Sequence, residues 1–174
     1  MTYLRLAVAA VLSLLAAVPA FAATPAPQKL VLEQFFRGPL VASGTFVNTR
    51  DGTTRGLKVR MKGTWDGRTL TLVEDFVYSD GERDRKTWRF TKVAEGRYTG
   101  TREDVLGTAD IVQDGDAVRL TYTARVAVKG GGAYDIRFKD LLVQTDRRTV
   151  RNTADLSFLF FDVGKVDLTI RRLH

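Results

Sequence analysis

Residues 70–90 read Leu70-Thr-Leu-Val-Glu-Asp-Phe-Val-Tyr-Ser-Asp-Gly-Glu-Arg-Asp-Arg-Lys-Thr-Trp-Arg-Phe90. Two runs, the first largely apolar, flank an Asp-Gly turn signal, the pattern of a β-hairpin. An adjacent carboxylate pair, Glu74 and Asp75, interrupts the apolar first run. Successive strand residues point to opposite faces, so a strand with one buried face must turn one of these two acids inward. Leu70, Leu72, Phe76 and Tyr78 share the face of Glu74, whereas Val73, Val77, Thr71 and Ser79 share that of Asp75. The larger apolar set marks Glu74 as the inward residue.

The turn provides an independent check, because loop length fixes which residues of the return strand stand opposite which. A two-residue Asp80-Gly81 loop would put Trp88 and Phe90 on the face of Asp75, against the pattern. A three-residue Ser79-Asp80-Gly81 loop, with Gly81 left-handed, sets Tyr78 opposite Glu82, Trp88 opposite Leu72 and Phe90 opposite Leu70. In that register Glu74 faces Lys86 on the inner side and Asp75 faces Arg85 outside. Removing two ions from water costs several kcal/mol each, so an inward Glu74 beside Lys86 implies an interior that is hydrated or occupied, or a pair at the rim.

The same alternation recurs outward along the chain. Leu57, Val59 and Met61 alternate with Lys58, Arg60 and Lys62; the run from Val118 to Val128 and the run from Val166 to Ile170 behave likewise. Asp51-Gly52, Asp66-Gly67, Asp80-Gly81, Glu95-Gly96, Asp114-Gly115 and Gly130-Gly131-Gly132 punctuate them. The spacing predicts about ten antiparallel strands from near 39 to near 172, with a helical turn within 30–36 and an irregular stretch around 154–161. Closing such a meander removes its edges. The expected fold is therefore all-β, a single up-and-down barrel, with a two-sheet β-sandwich as the alternative. A membrane-spanning barrel would invert the pattern, placing the cationic face in a narrow lumen.

The first residues combine Arg5, an apolar run and the small-residue site Ala20-Phe21-Ala22, which reads as a secretory signal cut after residue 22. The run is short of the ~20 residues that span a bilayer, and no cysteine is present for a lipid anchor. The expected organisation is a signal at 1–22, a leader at 23–38 and a barrel domain at 39–174, exported to the periplasm in a bacterial source. The formal net charge of +7 becomes +6 without Arg5, since residues 1–22 hold no acid. Such a charge favours anionic partners, a membrane surface among them. Nucleic acid is not expected in that compartment.

The only histidine is His174 and there is no cysteine, which excludes histidine-based triads, thiol nucleophiles and the usual zinc ligand sets. No cofactor, metal or catalytic residue is implied. A carboxylate enzyme stays open, with Glu74, Asp75, Glu103 and Asp104 as candidates. Gly63-Thr64-Trp65 resembles the Gly-x-Trp of lipocalins, whose Trp closes one barrel end, although here it falls at the end of the second strand; simple end packing is the other reading.

The phrase Glu74-Asp-Phe-Val-Tyr-Ser-Asp-Gly-Glu82, with Arg85, Trp88-Arg89, Arg97-Tyr98-Thr-Gly100 and Asp104-Val-Leu-Gly-Thr-Ala109, resembles a family of small bacterial envelope proteins of unknown function, many of them lipoproteins. The likeness runs from about Leu32 to Ile170. It implies an exported, lipocalin-like protein. Such proteins tend to accompany lipid-modifying enzymes, which implies membrane lipids as the ligand class. The chain departs from the pattern in lacking the anchoring cysteine and in having leucine within Phe138-Lys-Asp-Leu-Leu142 where an aromatic is expected.

The expected function is binding of an amphipathic lipid or fatty-acid-like molecule inside the barrel. Its polar group would lie near Glu74 and Lys86, with Phe76, Tyr78, Trp88, Tyr98 and Tyr122 completing the site. Two alternatives are a lipid-modifying enzyme with Glu74 as acid or base, and an envelope interaction module with a filled core.

Overall fold

The computed structural model describes residues 28–128 and 131–173, and in it ten antiparallel strands close into one barrel. They are β1 (Gly38–Asn48), β2 (Thr54–Trp65), β3 (Thr69–Tyr78), β4 (Arg83–Ala94), β5 (Arg97–Thr101), β6 (Ala109–Asp114), β7 (Ala117–Ala127), β8 (Ala133–Asp146), β9 (Thr149–Phe158) and β10 (Phe161–Arg172). Each pairs with its neighbours in sequence, and β1 closes on β10 with Leu40 opposite Arg172 and Asn48 opposite Gly164. The topology is up-and-down, not a sandwich, and every described strand has both edges paired.

The β3–β4 hairpin adopts the register that the apolar pattern demands. Leu70 stands opposite Phe90, Leu72 opposite Trp88, Glu74 opposite Lys86 and Asp75 opposite Arg85. Its loop is the three-residue form: the Tyr78 amide donates to the Glu82 carbonyl at 2.9 Å and the Gly81 amide to the Tyr78 carbonyl at 3.0 Å. Gly81 has φ +86°, a conformation in which a Cβ would be strained.

Along β2, Leu57, Val59 and Met61 are buried and Lys58, Arg60 and Lys62 exposed. The outer surface carries cross-strand ion pairs, Arg85 with Asp75 at 2.5 Å and Arg151 with Asp167 at 2.6 Å among them. Exposed pairs of this kind contribute about 0–1 kcal/mol each; their clearer role is to keep charge outside.

The segment before β1 closes one end of the barrel. α1 (Leu32–Phe35) is a single turn, and Leu30, Leu32, Phe35 and Phe36 are buried in one apolar cluster with Leu70, Ile111, Val118 and Val150. The Leu30 amide donates to the Asp116 carbonyl in the β6–β7 turn at 3.0 Å. Glu33 is clipped to the wall by Lys92 Nζ at 2.9 Å and by the Tyr98 hydroxyl. The Phe36 carbonyl fills the space beside Gly63, where an added Cβ would lie 1.7 Å from that oxygen. Gly63 is therefore required for the plug to seat, and Trp65, at the end of β2, packs against the same cluster.

The stretch expected to be irregular around 154–161 is regular strand as far as Phe158, with Ala154 and Leu156 inward and buried. Its inward row, Val150, Asn152, Ala154 and Leu156, contains one polar and one small member, which blurs the period in sequence. The β9–β10 turn holds Leu159 at φ +55°, and Leu159, Phe160 and Phe161 are exposed, Phe160 by 97%. The expected signal and the first part of the leader, 23–27, lie outside the described residues.

Candidate functional site

Above the plug the barrel is hollow. The cavity measures about 1180 Å³, larger than the roughly 300–1,000 Å³ of ordinary small-molecule pockets. Leu32 and Phe36 form its floor, and its mouth lies at the opposite end, among Arg50, Thr53, Asp80, Tyr134, Phe158 and Val163.

Its walls differ in chemistry because the inward rows differ in sequence. β1, β2 and β10 contribute Phe46, Leu57, Val166, Leu168 and Ile170. From β3, β4, β8 and β9, and from the segment just after β5, come Glu74, Lys86, Asp140, Asn152, Arg102 and Asp104, set among Trp88, Tyr122 and Phe138. The result is an oily half facing a half that mixes rings with charge.

Arg102 organises the polar half. Its Nε donates to Asp104 Oδ1 at 2.6 Å and its Nη2 to Asp104 Oδ2 at 3.3 Å. The guanidinium lies 4.5 Å from the Trp88 ring centre and 5.3 Å from that of Tyr122, a cation–π arrangement that burial strengthens. Trp88 meets Tyr122 edge-on at 5.1 Å, and Tyr122 stacks on Phe138 at 4.9 Å. These contacts fix the guanidinium against a rigid aromatic wall.

Two carboxyls stand almost without solvent, Glu74 at 7% exposure and Asp140 at 9%. Burial pushes Glu74 up to about 7; Arg102 and Lys86 pull it back, while Asp140 and Asp104 add to the rise. Asp140 is raised to about 6, again by burial, against the Asn152 amide, Arg102 and the Tyr122 hydroxyl. Asp104 is the counterexample: burial would raise it, but Arg102 and Lys86 hold it below the usual carboxylate range. Loss of hydration, more than like charge, thus sets both raised groups apart. Near neutrality each can take up or release a proton.

Six of the seven residues singled out from sequence, Glu74, Phe76, Tyr78, Lys86, Trp88 and Tyr122, line this one cavity. Tyr98 does not; it is buried at the closed end with its hydroxyl on Glu33. Its parity is inward as expected, but its height along the barrel places it beside the plug. Glu74 and Lys86 are opposite in register yet do not form an ion pair. The Lys86 ammonium reaches past Glu74 to Asp84 at 2.9 Å and Asp104 at 2.8 Å.

Arg102, Asp140 and Asn152 were not singled out from sequence. The parity that finds Glu74 would have found Asp140, which stands between Phe138 and Leu142 on the inward row of β8, and Asn152, between Val150 and Ala154 on β9. Arg102 carries a weaker form of the same signal: it continues the inward row of Tyr98 and Gly100 one step past the end of β5, and the folded chain turns it onto Trp88.

No curated protein of known function matches the chain. Among solved structures, the barrel is similar to the S-type phycobiliprotein lyase CPES from Guillardia theta, with a TM-score of 0.60 and 9% identity over 84% of this chain and 95% of that one. Two redesigned β-barrels bound to DFHBI, mFAP1 and mFAP0, align with a TM-score of 0.43 each, at 15% and 16% identity, over 80% of this chain and 97% and 100% of theirs. At such identities the likeness to the lyase concerns the fold alone. Residues 11–172, almost the whole chain, match one family described only as a protein of unknown function. The chain belongs to that family, DUF3833.

Proposed function

We propose that the protein is an exported, periplasmic barrel that takes an amphipathic lipid-like molecule into its interior. The observation that carries this reading is the cavity of about 1180 Å³ above the plug, oily on one side and bearing Glu74 and Asp140 on the other. Protein interiors are otherwise packed nearly as densely as organic crystals, and voids of even one side chain are costly. A space this large that also holds buried carboxyls suits an occupant with both an apolar body and a polar part. The apolar part would lie on Phe46, Leu57 and Leu168, and the polar part would face Glu74 and Asp140.

A membrane is the natural source of such a molecule. Leu159, Phe160 and Phe161 project from the β9–β10 turn beside the mouth, directly after Phe158, which lines the cavity. A protruding apolar turn suits a fluid bilayer, where no preformed pocket is needed. The interaction module with a filled core has no support, since the interior is hollow.

A second reading is enzymatic. Glu74, raised to about 7, is matched to proton transfer at neutral pH, and a protein named as a lyase shares this barrel. Glu74→Gln separates the two readings: an enzyme loses turnover and keeps binding, whereas a carrier changes only in affinity.

The test of the leading reading is to purify the protein from its own host, extract it with organic solvent and weigh the extract by mass spectrometry. About one equivalent of an amphipathic lipid is expected. An empty extract, together with failure of the purified protein to take up any added amphiphile, would reject it.

A further inference from the structure

The polar half of the cavity has a bias that narrows the ligand class, given the reading of the cavity as a site for a lipid-like molecule. Its cations are already engaged. Arg102 gives two hydrogen bonds to Asp104, and Lys86 reaches Asp84 and Asp104. The side-chain N–H of Asn152 goes to Asp140 Oδ1 at 3.0 Å.

The acceptors are in the opposite state. Asp140 Oδ2 and Asn152 Oδ1 are buried with no partner at hydrogen-bonding distance among the described residues; the Tyr122 hydroxyl lies near enough to Asp140 to lower its pKa but does not close that bond. Glu74, 93% buried by its 7% exposure, has charged neighbours but no hydrogen bond among the described residues. Glu74 on β3 and Asp140 on β8 bound the mixed half of the wall, five strands apart in the ten-strand ring, and are near enough that Asp140 adds to the rise of Glu74. The lining as a whole holds six acids, Glu74, Asp80, Glu82, Asp84, Asp104 and Asp140, against five bases, Arg50, Arg55, Lys86, Arg102 and Arg125. A group that displaces solvent from such walls must bring donors, because a buried acceptor left unmatched costs its full desolvation.

We infer that the part of the ligand buried against Glu74, Asp140 and Asn152 is a hydrogen-bond donor, a hydroxyl or an amino group, and not a carboxylate, sulfate or phosphate. An anionic head would face three acceptors and add to the excess of acids. A donor head satisfies them, and an ammonium also offsets the charge. The raised pKa values of Glu74 and Asp140 agree with this, since burial drives both up and the neighbouring cations and donors do not offset it.

Three probes with one tail and different heads test it: hexadecan-1-ol, hexadecylamine and hexadecanoate. Each competes at pH 8 with the neutral fluorophore N-phenyl-1-naphthylamine for the mature protein. The alcohol and the amine should displace the fluorophore at concentrations at least about tenfold lower than hexadecanoate, the scale of one unmatched buried polar group. Glu74→Gln combined with Asp140→Asn, which adds donors to the wall, should shrink that gap; the wild-type series decides on its own if this variant does not fold. Hexadecanoate displacing as well as the other two, or better, would overturn the inference and leave the cavity reading standing. Failure of the fluorophore and all three probes to bind would remove the cavity reading and the inference with it.

Discussion

Glu74 occupies a place where an ionised carboxylate is poorly tolerated, and its titration gives that statement a measurable form. The unfolded chain releases this proton near pH 4.5, and the folded protein holds it up to about pH 7. Between those values the folded state binds more protons than the unfolded state, so stability falls as pH rises through the window and levels off above it. The cost at pH 8 is about 3 kcal/mol, at ~1.4 kcal/mol per pH unit. Glu74→Gln should therefore gain about 2–3 kcal/mol relative to wild type between pH 4.5 and pH 8, as read by urea unfolding at the two pH values. A difference independent of pH would mean that Glu74 is solvated. Asp140 acts in the same direction between 3.8 and about 6, and comparing the variant with wild type separates its share. The inward turn of Glu74 is legible in sequence because strand parity allows only two choices and the neighbours decide between them. Its true counter-charge is not, because the reach of Lys86 to Asp104 depends on where the segment after β5 comes to rest.

At the scale of single elements, hairpin, plug and tip illustrate different degrees of legibility. The β3–β4 register follows from one turn and one apolar pattern, both local, and the structure reproduces it pair by pair. The plug is only half legible. Its helical turn can be expected from sequence, but its docking depends on the Phe36 carbonyl meeting Gly63, a contact across 27 residues of chain. Gly63→Ala should cost roughly 2–4 kcal/mol, since the clash is with backbone that cannot yield without unseating the plug. Chemical denaturation measures this, and an unchanged midpoint would mean that the plug does not pack as described. The β9–β10 tip breaks the local rules, with a non-glycine residue at positive φ and aromatic side chains in solvent. Such departures from local consistency gather at functional places. Replacing Phe160 and Phe161 with Ser should lower co-sedimentation with lipid vesicles at least about tenfold, given about 1.5–3 kcal/mol for burying each ring, while leaving fluorophore uptake by the cavity intact. Equal sedimentation of variant and wild type would remove the tip from the membrane contact.

At the scale of the whole molecule, closure is what joins these parts into a site. Pairing β1 with β10 brings the oily rows of β1, β2 and β10 to face the mixed rows of β3, β4, β8 and β9. The number of strands and the up-and-down order are legible because ten alternating runs separated by tight turns leave few other solutions. The hollow is not. Alternation specifies which side chains turn inward, but not whether they meet in the middle, and that depends on barrel width and on how far the plug enters. The same limit misplaced Tyr98, whose face was legible and whose depth was not. The central claim is that an apolar chain enters this hollow and lies against its aromatic wall. Trp88 lines the cavity and Trp65 does not, and the protein has only these two tryptophans, so Trp65→Phe leaves a single reporter inside. Titration of that variant with a hexadecyl amphiphile brominated along its tail should quench Trp88 fluorescence saturably, near one equivalent. Emission that stays unquenched, or falls linearly without saturation, would contradict the account.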